Sequence, residues 1–274
     1  MVIIMSENRI TFAIAAYKEC EFLETAVLSV LNQTVPCDVF IVTGTPNDYI
    51  GGIADKYNIP VYVNDAEDAQ KAAGNFNFAY KNAKTDLITI VHQDDYYEPQ
   101  YAEEILKISE GRSPIIIFSE YYEMRGSKKV YDNKLLKVKR FMNIGFSLFP
   151  KSRFVRKRVL SFGCPIAAPA VTLSKKACGD FKFDGSYRGG SFDWDAWVRL
   201  ADLKGEFLCV RKPLLGHRIY ENSGTTEFIA NNLRAEDELR ILKKMWPEKF
   251  AVWYHKKYST AYASNEFDKN DDKG

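Results

Sequence analysis

Between Ile10 and Phe118 the chain alternates short apolar, β-branched runs with amphipathic stretches, and this rhythm limits its fold more than any other feature. Ile10 to Ala16 reads as a buried strand. Leu23, Ala26, Val27, Val30 and Leu31 then recur at the i, i+3, i+4, i+7, i+8 spacing of an apolar helix stripe. Asp38 to Thr43 and Pro60 to Val63 read as the next strands, Ala69 to Lys84 as a helix, and Leu87 to Val91 as a fourth strand. Pro99, suited to a first helical position, opens a helix carrying Ala102, Ile105 and Leu106 on one side. Strands separated by helices need crossover connections and build a mainly parallel sheet. Such sheets bind ligands beyond the carboxyl ends of their strands. Tyr17 and the adjacent acids Asp94 and Asp95 stand at two of those ends.

The acids end an apparently buried strand, LITIVHQDDYYEP. Neighbouring carboxylates repel, and burying them is costly unless a donor or a cation answers them. They either cap a polar loop or hold a ligand. At 274 residues, 46% hydrophobic and 27% charged, the chain can bury a full-sized core as one large α/β domain or two small ones. No apolar run approaches the roughly 20 residues that span a bilayer, and Met1 to Met5 is too short for a signal-peptide core. The five cysteines are scattered without CxxC spacing, which fits a reducing cytoplasm and neither a disulfide framework nor a zinc site.

After Pro114 to Phe118 the rhythm breaks. From Arg125 to Arg158 basic residues dominate and Asp132 is the only acid, a pattern that suits an anionic partner or a solvated helical face. Aromatics interleave with the cations at Arg140 to Phe149 and Phe154 to Arg158, and again at Phe250 to Tyr258. These segments suit peripheral contact with an anionic membrane, a mobile lid, or plain helix packing. A Gly-rich loop and the run SFDWDAWVRLADLKG from Ser191 follow, then a strand at Glu206 to Val210 and the run HRIYENSGTT. The polar tail 265–274 reads as disordered.

From Arg9 to Ser264 the chain resembles the family 2 inverting glycosyltransferases of GT-A fold, especially bacterial enzymes of capsule and surface-polysaccharide assembly. TFAIAAYKECEFLETAVLSVLNQT is similar to that family's first strand, nucleotide loop and helix. HQDDYYEP stands where its metal-binding acids fall, FDWDAWVRLADLKG resembles the acceptor-side helix with the catalytic base, and HRIYENSGTT its closing loop. The resemblance implies a single α/β domain of GT-A type, with a mainly parallel central sheet flanked by helices and an acceptor-side extension. Residues 1–118 would form the nucleotide-sugar half, 119–228 the acceptor half and 229–264 C-terminal helices.

Its chemistry is sugar transfer from a nucleotide donor, most simply UDP-linked, to a saccharide or lipid-linked acceptor, in the cytoplasm or on the inner face of the membrane. By that resemblance Asp95 binds Mn2+ or Mg2+, and Asp94 shares the metal or faces the ribose. Tyr17 stacks on the base, Ala15 offers backbone contacts, Lys71 falls where the family places a cation near the diphosphate, and Asn77 falls where it has an Asn, both on the nucleotide side. Asp193 is the base, with Asp195 as the alternative; two helical positions lie about 200° apart, so both cannot face one hydroxyl. Trp194 offers a face for an acceptor sugar, Trp197 packs in the core, and His217 and Arg218 are phosphate-side candidates.

Three departures stand out. Thr43-Gly44-Thr45-Pro46 replaces an acidic pair after the second strand, with Asp48 a distant substitute, His92 replaces the first acid of the metal motif, and Tyr220 replaces a second His in the closing loop. Two other readings compete. A nucleotidyltransferase making sugar nucleotides would need a Gly-rich phosphate loop where Ala15-Ala16-Tyr17-Lys18-Glu19 stands. A nucleic-acid or scaffold-binding protein would use the basic stretch but leave both acid motifs without a purpose.

Overall fold

The structure, a computed structural model, describes residues 8–220 and 233–259. The four strands read from the sequence are present as β1 (Ile10–Ala16), β2 (Asp38–Thr43), β3 (Val61–Val63) and β4 (Leu87–His92). They run parallel in the order β3-β2-β1-β4. Crossovers are supplied by α1 (Leu23–Leu31), α2 (Asp48–Tyr57) and α3 (Ala72–Asn82). Side chains of β1 alternate between two apolar clusters: Phe12 and Ile14 pack with Leu23, Val27 and Ile50, whereas Ala13 packs with Phe76 and Phe118. Both faces of the sheet are therefore covered, which is why these strands read as continuous apolar runs.

The second half turns the sheet from parallel to mixed. It contributes β5 (Tyr96–Tyr97), β6 (Pro114–Arg125), β7 (Lys128–Val130), β8 (Val171–Ser174) and β9 (Glu206–Ile219), and the nine-stranded sheet continues β4-β8-β6-β9-β5, with β7 paired to β6. Around it lie α4 (Tyr101–Ser109), α5 (Lys134–Leu148), α6 (Arg153–Leu160), α7 (Lys175–Cys178), α8 (Phe192–Leu200), α9 (Leu233–Met245) and α10 (Glu248–Tyr258). Among the described residues no helix is long and apolar enough to cross a membrane.

Several boundaries differ from the sequence reading. Pro99 lies in a turn, where its carbonyl accepts from Thr34 N at 2.9 Å, and the helix starts at Tyr101. The third helix begins at Ala72 because Lys71 caps it in an extended conformation. β9 does not stop at Val210: Arg211 and Lys212 bulge out, Pro213 pairs with Glu120 of β6, and the strand continues to Ile219. That continuation pairs with β5 at Gly216 and delivers His217 and Arg218 to the turn after β4.

Several cations of the basic stretch are answered from elsewhere in the chain. Lys129 pairs with Glu98 at 3.2 Å, Arg140 with Glu120 at 3.4 Å and Lys157 with Asp202 at 2.8 Å. Buried Arg156 donates to the carbonyls of Leu203 and Gly205. The closing-loop residues 221–226 and the tail 265–274 lie outside the described residues.

Candidate active site

The acid pair sits in the turn that ends β4, closed by a hydrogen bond from Asp95 N to the His92 carbonyl at 3.3 Å. Asp95 is buried. Its Oδ1 accepts from His217 Nδ1 at 3.0 Å and from Arg218 N at 2.9 Å, both at the far end of β9. Its Oδ2 has no hydrogen-bond donor among the described residues; His92 Nδ1 lies 3.7 Å away, and His92 Nε2 is likewise unanswered. Arg218 Nε donates to the Asp94 carbonyl at 2.9 Å and its guanidinium lies 3.9 Å from the centre of the Phe22 ring. The Tyr220 hydroxyl hydrogen-bonds the Asp94 carboxylate.

The two carboxyls titrate in opposite directions. Burial, reinforced by the Asp95 charge, pushes Asp94 above the usual carboxylate range. Burial also opposes ionisation of Asp95, but the charge and hydrogen bond of His217 outweigh it and hold Asp95 low. His217 is correspondingly raised: desolvation disfavours its cation, and the charge and hydrogen bond of Asp95 prevail. One ligand atom each from His92, Asp94 and Asp95 lies within 4.8 Å of the others. An ionised, buried carboxylate with one unanswered oxygen beside a second carboxyl fits a divalent cation, and this oxygen-rich set suits Mn2+ or Mg2+. His92 stands inside this cluster, so the departure from an acid adds an imidazole to it.

The loop after β1 is clipped to the same turn. Tyr17 N donates to Gln93 Oε1 at 2.8 Å and Gln93 Nε2 donates to the Tyr17 carbonyl at 3.1 Å, which holds an exposed Tyr17 ring beside the acids. Ala15 is paired with His92 across the β1–β4 ladder. Lys18 takes a left-handed φ of +54° and donates its N–H to Thr45 Oγ1 at 2.7 Å. Thr43 Oγ1 in turn accepts from Thr45 N at 3.0 Å, so two hydroxyls organise the turn where the resemblance expects acids. Gly44 permits the close approach of the Ala69 backbone: a Cβ there would lie 2.0 Å from the Ala69 oxygen. Exposed Lys71 lines an open pocket with Gly44, Asn64, Asp65 and Glu67. Asn77 is a correction. Its amide donates to the Phe183 carbonyl at 3.0 Å and accepts from Phe183 N at 2.7 Å, which commits it to pinning that loop onto α3 rather than standing free on the nucleotide side.

The second acid motif separates its two members as helical geometry requires. Asp195 is fully buried and accepts from Tyr187 Oη at 2.9 Å, Arg199 Nε at 2.7 Å and Lys244 Nζ at 2.6 Å. Desolvation works against its charge, but those donors outweigh it and hold Asp195 low, so the alternative base is an anchor. Asp193, in the first turn of α8, accepts from the Trp194 N–H at 2.7 Å, its one hydrogen bond among the described residues. Burial raises it, opposed by Arg234, by that N–H and then by the charges of His92 and Lys139, so it lies within electrostatic reach of a member of the first acid cluster. Trp194 is also corrected: it is buried and its Nε1–H donates to the Leu160 carbonyl at 3.0 Å, so it offers no face to an acceptor. Trp197 is buried, as expected.

Helix α9 holds this motif in place. Asp237 Oδ2 accepts from Gly189 N at 2.6 Å in the loop before α8, and a Cβ at Gly189 would lie 2.3 Å from the Leu233 oxygen. Arg234, paired with Glu238 at 3.0 Å, brings positive charge toward Asp193. Sequence reasoning missed Arg234, and also Lys139, whose Nζ bonds Tyr121 Oη at 2.9 Å while the Tyr121 ring meets His217 edge-on at 5.9 Å. A signal for Lys139 existed: Leu136, Lys139, Asn143 and Phe146 form one helical stripe, interrupted by two polar residues.

Residues 11–176 match the family model described as glycosyl transferase family 2. The chain belongs to this family. Among solved structures, this family 2 chain is similar to Staphylococcus aureus TarS 1–349 in complex with UDP-GlcNAc (TM-score 0.64, 13% identity, covering 93% of this chain and 73% of that one). It is also similar to the mannosyltransferase PcManGT from Pyrobaculum calidifontis in complex with GDP-Man and Mn2+ (TM-score 0.62, 11% identity, 96% and 77% covered). A third is glucosyl-3-phosphoglycerate synthase from Mycobacterium tuberculosis with Mn2+ and UDP-glucose (TM-score 0.55, 11% identity, 87% and 79% covered). No curated protein matches the sequence. The likenesses identify the fold as GT-A type, and the acid turn falls inside the matched family span while α8 lies beyond it.

Proposed function

We propose that this family 2 chain is an inverting glycosyltransferase that moves a sugar from a nucleotide donor, most simply a UDP-sugar, to a saccharide or lipid-linked saccharide acceptor in surface-polysaccharide assembly on the cytoplasmic side. One observation carries the reading: Asp95, buried and held ionised, keeps an oxygen unanswered among the described residues beside Asp94 and His92, and Asp193 lies within electrostatic reach of His92. Asp94, Asp95 and His92 would hold the divalent ion. Bound there, the ion supplies Lewis-acid stabilisation of the charge left on the departing diphosphate.

The remaining work falls to side chains. Asp95 is oriented by His217 and by the Arg218 backbone, which fixes the direction of its free oxygen. Tyr17 offers a ring to the base, and Lys71 a cation at the rim of the donor side. Asp193 takes the proton from the acceptor hydroxyl as that oxygen attacks the anomeric carbon from the side opposite the diphosphate, which inverts the centre. The donor half, residues 1–118, is thus completed by His217 and Arg218 returning on β9. Complexes of TarS with UDP-GlcNAc, of PcManGT with GDP-Man and Mn2+ and of the synthase with UDP-glucose and Mn2+ support a nucleotide-sugar donor and a metal for this chain.

A melting-temperature screen against UDP- and GDP-sugars, each with and without Mn2+, tests the reading. A ligand present at about a hundred times its Kd adds roughly 2.7 kcal/mol to folding. One nucleotide class should raise the midpoint only when Mn2+ is present, and Asp193→Asn should keep that shift while losing transfer. No shift with any sugar nucleotide would sink the proposal.

A further inference from the structure

Helices far apart in sequence build one exposed aromatic surface with a basic rim. On α5, Val138, Phe141, Gly145 and Leu148 share a stripe, and a Cβ on Gly145 would lie 2.9 Å from Val159 of α6, so the stripe runs directly beside that helix. On α6, Phe154 lies 5.6 Å from the Arg158 guanidinium, which also covers the Trp246 ring at 4.7 Å. Trp246 meets Phe162 at 5.4 Å and Phe250 at 4.6 Å, and Phe250 meets Trp253 of α10 at 5.5 Å. The contacts from Phe154 to Trp253 are continuous and α5 packs alongside them at Gly145, yet the outer members remain in solvent: Phe141 is 74% exposed, Phe154 71% and Trp253 58%. Contiguous apolar area of this kind marks an interaction site, whereas single exposed side chains do not.

We propose that this three-helix face docks the protein on an anionic lipid bilayer. Lys151, Arg153, Lys249 and Lys256 stand exposed on or beside the same helices. The acids nearby are already answered, Asp202 by Lys157 at 2.8 Å and Glu248 by Lys243 at 2.6 Å, so the rim presents net positive charge. Aromatic side chains over a basic rim match the boundary between headgroups and acyl chains, where rings enter the apolar layer and cations meet lipid phosphates. A second copy of this chain is a poorer occupant. A two-fold contact would bring two copies of the same positively charged face together, and like charges across an interface oppose association. The docking does not depend on the reaction proposed above. It does bear on it, because the Trp194 ring of the base-bearing helix is bonded to Leu160 of α6 and lies 6.0 Å from Tyr258 of α10. The face therefore backs onto the helix that carries Asp193.

Co-sedimentation of the full chain with lipid vesicles tests the proposal without any substrate. The protein should pellet with vesicles containing phosphatidylglycerol, remain in solution with phosphatidylcholine alone, and be released as salt is raised. Phe154→Ser should weaken binding about tenfold, as should Trp253→Ser, and the pair together about a hundredfold, from the apolar area withdrawn. Their melting temperatures should stay at the wild-type value, because both side chains are exposed. Asp95→Asn should bind vesicles like the wild type, so loss of transfer and loss of docking are separable. Failure of the wild type to pellet with phosphatidylglycerol, equal binding to phosphatidylcholine, or an unaffected double variant would each overturn the proposal. So would a dimer in solution that the same two substitutions dissolve, since the face would then belong to a second copy.

Discussion

Two pairs of acids, Asp94 with Asp95 and Asp193 with Asp195, face the same chemistry with opposite electrostatic arrangements. In the first pair the members are adjacent in a turn, their carboxyls converge, and the buried one keeps an oxygen without a donor. In the second they are two positions apart on a helix and diverge: among the described residues Asp195 collects three side-chain donors, while Asp193 keeps only a backbone N–H. Under the proposed function, backbone conformation thus decides whether two carboxylates act together on one ion or divide into an anchor and a base. Convergence creates a site for a cation; divergence creates a single available proton acceptor.

The largest expected effect comes from the converging pair. Asp95→Asn removes the ionised oxygen and with it several kcal/mol of transition-state stabilisation by the ion, so transfer should fall about a thousandfold or more. Chelating the metal from the wild type should bring its rate down to the same level; a wild type indifferent to chelator would break the comparison. Next, Asp193→Asn should lower turnover by about two to four orders of magnitude at unchanged nucleotide affinity. The acid limb of the wild-type turnover profile should lie above the ordinary carboxylate value of about 4, since burial raises Asp193 and a base must be deprotonated to work.

The diverging pair makes a third, different demand. Asp195→Ala removes the shared partner of the half-exposed Arg199 and Lys244 and should cost about 1–2 kcal/mol in urea unfolding, with turnover per folded molecule retained. Asp195 is held low in the folded state, so its contribution is complete above its unfolded value of about 4 and is lost as pH falls through the lower folded value. Wild type and Asp195→Asn should therefore converge in stability in acid. If Asp195→Ala instead halted transfer in a fully stable protein, the two helical acids would exchange roles. The smallest effect is expected at Asn77: Asn77→Ala should cost about 1 kcal/mol of stability through its lost backbone bonds, with nucleotide affinity unchanged.

The parallel half of the fold was legible because burial on both faces writes itself as apolar runs; Ile10–Ala16 and Asp38–Thr43 form the strands read from them. The far half of β9 was not. Arg211, Lys212 and Pro213 read as a strand end, and only the bulge opposite Glu120 lets the strand resume and carry His217 to Asp95. Among site residues, the acids announced themselves by their cost when buried, but the aromatics carried no such mark. Trp194 and Trp197 sit in the same helix with the same chemistry, and only packing against Leu160 and the core assigns both to the interior. Asn77 misled for a related reason, since an amide that could bind a ligand can equally imitate a backbone pair.

The grip of α9 on the loop before α8, through Asp237 and Gly189, and on Asp195, through Lys244, has a temporal consequence. As the chain leaves the ribosome, every residue of the acid turn and its β9 partners has emerged before the last of the contacts that steady the proposed base. The acid turn can thus be complete in sequence while the helix that steadies Asp195 and the loop before α8 is still to come.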